Sequence, residues 1–261
     1  MSLFKAIRVG ILLVILLIVA SNHWLGKARL AEWAGPIWVT VYPIAADNRP
    51  ETLSYVRSLE AGTFEDVSRF FSREARRYGL DLPKAAHFQL APMPASLPPA
   101  LPDNGNRFAI AFWSLKMRWW AWRRQAQDGL LNPDIQVFML YRSAQGNPQL
   151  DRSVGMQKGR YTLVNAYASP GQAARNNFVV AHELLHVLGA TDKYDPASRL
   201  PLAPDGLANP KALPLYPQSH AEIMGGAIAV SPNDARMPAS LGRSVVGGKT
   251  ATEIGWRAKQ D

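Results

Sequence analysis

The chain has 261 residues, 48% of them hydrophobic, enough to bury the core of one sizeable domain or two small ones. It contains no cysteine, which excludes disulfides, thiolate metal sites and a thiol nucleophile, so any metal must be held by His, Asp, Glu or Tyr. A net charge of +9 attracts polyanions, but no run of Lys or Arg exceeds two and no nucleic-acid motif is present, so nucleic acid is not an expected partner.

The N-terminus opens with Lys5 and Arg8 and then runs apolar and uncharged over residues 9–20. A basic start before an apolar core is the pattern of an export signal. The stretch also approaches the ~20 residues that span a bilayer, with Trp24 placed for the far interface. Residues 1–25 are therefore expected to form an uncleaved signal anchor or a cleaved signal peptide. The remainder is then membrane-anchored and faces the periplasm or extracellular space, or is secreted. Residues 26–35 read as a linker, and 36–261 as one domain with halves 36–189 and 190–261.

Within that domain "PIWVTVYPI" (36–44) is β-branched and aromatic and reads as a strand. Residues 63–80 read as an amphipathic helix, with Thr63 and Asp66 resembling a capping box and Gly79 marking the end. Its Phe64, Val67, Phe70, Phe71 and Ala75 share one face. A second strand is expected over 85–92, and a proline-rich loop over 93–106. Residues 107–125 predict a helix with two apolar stripes: Phe112, Leu115, Trp119 and Trp122 form one, and Trp113, Met117 and Trp120 the other. Two readings stand. The helix packs on a sheet with its aromatics inward, or it lies at a lipid interface, where tryptophans beside Lys116, Arg118, Arg123 and Arg124 are at home. Strands follow over 134–142 and 159–168, then a helix over 170–189, a long proline-punctuated stretch, and a short helix over 250–256. The mixture of strands and helices reads as an α+β fold.

The helix over 170–189 carries "AHELLHVLGATDKYD" (181–195). Residues four apart share one helical face, so His182 and His186 can present their imidazoles to one ion, with Glu183 beside it as a general base. This is the two-histidine helical zinc signature, and Zn2+ is the expected cofactor. A third ligand is needed. A continued helix would offer Ala190 and Lys193, neither of which serves. Gly189 can adopt positive φ and end the helix, which makes Asp192 the nearest residue able to bind the metal. His220 is a further candidate, as a ligand or a transition-state donor, against the plainer reading of a solvated loop histidine. Tyr194 can stabilise an oxyanion or simply pack. Asp195, Asp205 and Asn209 are candidate oxygen ligands for Ca2+, in loops where ordinary turns favour the same residues.

"HELLHVLGATD" resembles the HExxHxxGxxD motif of metzincin-type zinc peptidases of the snapalysin group, in which the third ligand is Asp. "AEIMGG" (221–226) is similar to the Met-turn of that clan, with Met224 as its methionine. The resemblance implies a zincin-like fold: a mixed twisted sheet, an active-site helix and an irregular C-terminal half holding the Met-turn. It also implies that the strand before the helix is a sheet edge that pairs with substrate, which makes Tyr161, Leu163, Asn165 and Tyr167 substrate-binding candidates. The expected activity is that of a zinc endopeptidase acting on a peptide or protein. Two rivals are a membrane-tethered binding protein that keeps the zinc fold without catalysis, and a zinc hydrolase acting on a cell-wall polymer.

Overall fold

The interior strand β1 (Ile37–Ala45) is an almost wholly buried run of apolar and β-branched residues, as befits a strand covered on both faces. In this computed structural model it pairs in parallel with β2 (Ala86–Leu90) on one side and β3 (Ile135–Arg142) on the other. β3 pairs in parallel with β5 (Tyr161–Tyr167), and the short β4 (Val154–Met156) lies antiparallel on β5. The result is a mixed five-stranded sheet of order β2-β1-β3-β5-β4, in an α+β fold. The structure describes Lys5, Arg8 and residues 33–102, 106–145, 150–151 and 153–258, and of Lys158 the backbone alone. The expected anchor or signal over 1–25 and most of the linker over 26–35 lie outside these. The chain divides into the compact units Met1–Ala34 and Gly35–Asp261, and every element named here belongs to the second. Among the described residues no helix is long and apolar enough to cross a membrane.

Alternation along the strands sends side chains to both faces. Tyr42, Ile44, Phe138, Tyr161 and Leu163 point to one face and bury Trp113, Met117, Trp120 and Ala121 of helix α3 (Arg107–Asp128). Val39, Val41, Val137, Met139 and Val164, all fully buried, point the other way. There the sheet meets α1 (Pro50–Arg57), α2 (Glu65–Arg77) and α4 (Ala173–Leu188). α3 runs three residues past the predicted end because Gly129, at φ 66°, is what stops it.

Several details differ from the sequence expectations. The capping box before α2 is Glu60 with Thr63, not Thr63 with Asp66: a 3-10 turn over Ala61–Phe64 precedes the helix and moves the cap upstream. Asp66 instead pairs with Arg69. The five predicted apolar residues of this segment are all buried. α1 and β4 were not expected; α1 is only eight residues long and buries just Thr52 and Val56, and β4 is three residues with a glycine at its centre. β4 also corrects the sheet edge. The strand expected at the edge, Tyr161–Tyr167, is second from it and buried throughout.

The C-terminal half is largely irregular. It contains the parallel pair β6 (Ala221–Glu222) with β9 (Ser244–Val245), the hairpin β7 (Ile228–Ser231) and β8 (Asp234–Arg236), and α5 (Gly248–Glu253). α2 fastens this half through the buried Glu74, which accepts from the Val246 N–H at 2.9 Å and pairs with Arg73 and Arg77. Arg73 also donates to the Ser244 carbonyl at 2.6 Å, and the Tyr78 hydroxyl to that of Val246 at 2.8 Å.

Candidate metal centre

α4 brings most of the candidate residues together. Its buried Phe178, Val180, Leu184, Leu185 and Val187 fix its rotation against the sheet. Asn176 bridges the N–H and carbonyl of Tyr167 at 3.2 and 2.9 Å, tying the helix start to the end of β5. The helix stops at Gly189, whose φ of 113° is a conformation that L side chains rarely adopt. The chain then turns, and Asp192 comes back over the two histidines.

Three ligand atoms meet there. His182 Nε2 and His186 Nε2 are 3.1 Å apart, and Asp192 Oδ1 lies 3.2 and 3.1 Å from them. Among the described residues this is the one group of three His, Asp or Glu with ligand atoms within 4.8 Å of one another. Each imidazole turns its other nitrogen to a backbone carbonyl: His182 Nδ1 to Ile223 O at 3.0 Å, and His186 Nδ1 to Ala190 O at 2.8 Å. A carbonyl only accepts, so each Nδ1 carries hydrogen, and a neutral ring is left with a bare lone pair at Nε2. Two such lone pairs and a carboxylate oxygen then face one another with no proton between them, an arrangement that calls for a cation. The triangle suits a small one: tetrahedral ligands at about 2.0–2.1 Å from zinc lie about 3.3–3.4 Å apart.

Without a metal, a proton is the available cation. Burial pushes the His186 imidazole down, but Asp192 and the Ala190 carbonyl outweigh it and hold its pKa above 6.5. Burial likewise opposes charge on Asp192, yet the His182 and His186 imidazoles beside it hold its carboxyl far below the usual carboxylate range. A raised histidine stabilises the fold below its unfolded pKa and loses that contribution as pH rises through the folded value; a depressed aspartate contributes above ~3.9. The metal-free pair therefore stabilises from about pH 4 to somewhat above 6.5. Metal binding needs the deprotonated ring and strengthens as pH rises. Thermal melting between pH 5.5 and 8.5 is thus expected to show opposite trends, falling with pH in excess chelator and rising with pH in excess zinc.

Glu183 stands beside the triangle. Its Oε2 is buried and has no hydrogen-bond partner among the described residues. Burial pushes its carboxyl above the usual range, against the pull of His182, His186 and the Gly155 backbone. Gly155, in edge strand β4, was not singled out from the sequence. A Cβ there would lie 2.7 Å from the Glu183 carbonyl and 2.8 Å from His186 Cβ, so only glycine lets the strand approach the helix this closely.

The cleft around these residues holds about 1050 Å³, and Asn165, Tyr167 and Tyr194 also line it. Of the four substrate-strand candidates, Asn165 and Tyr167 therefore reach the cleft, whereas Tyr161 and Leu163 pack under α3. The Tyr194 ring lies 6.3 Å from that of His182. Met224 is fully buried below, and its carbonyl accepts from the Lys193 N–H at 2.9 Å. His220 is not part of the cluster; it sits near Arg243 and Arg73, and burial followed by those charges lowers its pKa. Asp195 Oδ1 accepts from Ala197 N, Ser198 N and Ser198 Oγ at 2.7–3.1 Å, and Asn209 Oδ1 from Lys211 N at 3.1 Å: each closes its own turn.

Two further carboxylates hold the site from behind. Glu222 is fully buried and accepts from Gly225 N, Gly247 N and Thr250 Oγ1 at 2.7–3.0 Å, fixing the turn that offers Ile223 O to His182. Glu253 of α5 accepts from Thr191 N, Thr191 Oγ1 and Lys193 Nζ at 2.7–3.0 Å, gripping both neighbours of Asp192. Lys193 is itself buried, so removing Glu253 leaves its ammonium group on the Thr191 carbonyl, at 2.8 Å, without its ion-pair partner. Glu253→Ala is expected to cost about 3 kcal/mol in a urea melt and to weaken metal binding roughly 10–100-fold, as loss of a ligand's supporting partner does. Sequence spacing gives no sign of either carboxylate, because their partners are as much as 62 residues away.

No protein-family profile matches the chain, and no curated protein matches it by sequence.

Proposed function

We propose that the protein is a zinc-dependent endopeptidase of metzincin type, with His182, His186 and Asp192 holding the ion and Glu183 as general acid and base. The observation that carries this reading is the triangle of lone pairs with a buried, unpartnered carboxylate oxygen next to it. A bound zinc ion supplies positive charge that acidifies a water and polarises a carbonyl. Ile223 and Ala190 hold the imidazoles by their Nδ1–H groups, so both Nε2 atoms stay directed at the site. Glu183 takes the proton of the attacking water and delivers it to the departing amine. Burial suits it to the first task, because raising its pKa makes the carboxylate a stronger base. Tyr194 lines the cleft, and in this reading its hydroxyl donates to the developing oxyanion. Extended substrate reaches the site along β4, the free edge on this side of the sheet.

A site that served only to stabilise the fold would need neither a buried carboxylate with an unpartnered oxygen nor an open cleft. The +9 charge leaves an anionic wall polymer as the second substrate class. Incubation of the protein with casein and with purified wall polymer, with and without chelator, separates the readings. The endopeptidase cleaves casein and stops in chelator; cleavage of the polymer alone selects the rival hydrolase, and cleavage of neither, by zinc-loaded protein, rejects both.

A further inference from the structure

α3 is covered on one face and bare on the other. Phe108 is 86% exposed, Phe112 61%, Leu115 65%, Trp119 57% and Trp122 63%. At about 100° per residue these five lie within an arc of about 80°, opposite the buried Trp113, Met117 and Trp120. By the same spacing Arg107 and Arg118 flank the stripe on one side, and Lys116 and Arg123 on the other; all four are exposed. No acidic residue occurs in the helix before Asp128. Lys116 Nζ lies 4.8 Å from the Phe112 ring centroid, and Arg123 Cζ 4.8 Å from that of Trp119, so the cations sit at the shoulders of the aromatic row. A water-facing helix gains nothing from five large apolar side chains in line.

We propose that this face of α3 lies on an anionic lipid bilayer, with the helix axis in the membrane plane, its aromatic row among the acyl chains and its four flanking cations at the lipid phosphates. Charge selects lipid over a second copy of the chain, since pairing two such faces brings eight cations together with no carboxylate from either stripe. The metal-site helix α4 packs on the opposite face of the sheet. This inference is independent of the chemistry at the cleft.

The absence of cysteine gives a clean test. In the full chain, Leu115→Cys or Leu213→Cys carries one environment-sensitive fluorophore; Leu213, in the C-terminal loops, is 97% exposed and serves as control. Each is mixed with phosphatidylcholine vesicles, with or without phosphatidylglycerol, whose acyl chains are brominated. The label at 115 is expected to shift to the blue and be quenched in phosphatidylglycerol vesicles, while the label at 213 stays unquenched. Lys116→Glu with Arg123→Glu should weaken that response by about tenfold or more. Equal response at both positions, or equal response with and without phosphatidylglycerol, would overturn the proposal. So would a blue shift at 115 that grows with protein concentration in the absence of lipid, which assigns the face to self-association.

Discussion

Glu183→Gln is expected to lower kcat for peptide hydrolysis by about 10²–10⁴-fold while leaving one zinc ion per chain. The substitution keeps shape and removes only charge and basicity. An amide cannot take the proton of the attacking water, so the loss falls on turnover more than on substrate affinity. The His182, His186 and Asp192 atoms that converge do not depend on the Glu183 side chain for their placement, since their supports are Ile223 O, Ala190 O and Glu253. Stability should move the other way. The native carboxylate has a buried oxygen without a hydrogen-bond partner among the described residues, and a neutral amide avoids the cost of burying charge. Melting temperature is therefore expected to stay level or rise, the trade between activity and stability common at active sites. Steady-state kinetics, metal analysis and a thermal melt on one preparation check all three. Undiminished turnover would remove Glu183 from the mechanism.

Asp192→Ala is expected to lower zinc affinity by more than about 100-fold, a larger loss than removal of a supporting partner gives. It leaves two imidazoles whose lone pairs face each other at 3.1 Å without the carboxylate that completes the triangle. Activity should vanish at limiting zinc and return only in part at high zinc. Competition against a chromophoric chelator measures the affinity. The fold should survive, because Thr191 and Lys193, rather than Asp192, tie this loop to α5. An Asp192→Ala protein with native affinity would mean that another group supplies the third ligand.

What could be read in advance depended on how local the cause was. His182, Glu183 and His186 lie within two helical turns, so spacing alone placed them on one side of α4. Asp192 was legible because Gly189 breaks the helix just before it, and the glycine does hold φ at 113°. The sheet edge was not legible. β4 is three residues with a central glycine, and its reason lies in the close approach of Gly155 to α4 rather than in any alternation of its own. Glu222 and Glu253 were equally hidden, since their partners meet them only through the tertiary fold. The two stripes of α3 were visible, but which one faces inward is decided by Tyr42, Phe138 and Tyr161 on distant strands. The inward reading of that helix holds for one stripe, which packs on the sheet, while the other remains exposed.

The most direct measurement is the zinc content of the purified full chain by elemental mass spectrometry, after zinc loading and exhaustive dialysis, beside His182→Ala prepared in the same way. The account predicts close to one equivalent in the native chain, removed by chelator, and close to none in the variant. A native chain that retains no zinc, or a His182→Ala protein that retains as much as the native one, would contradict it.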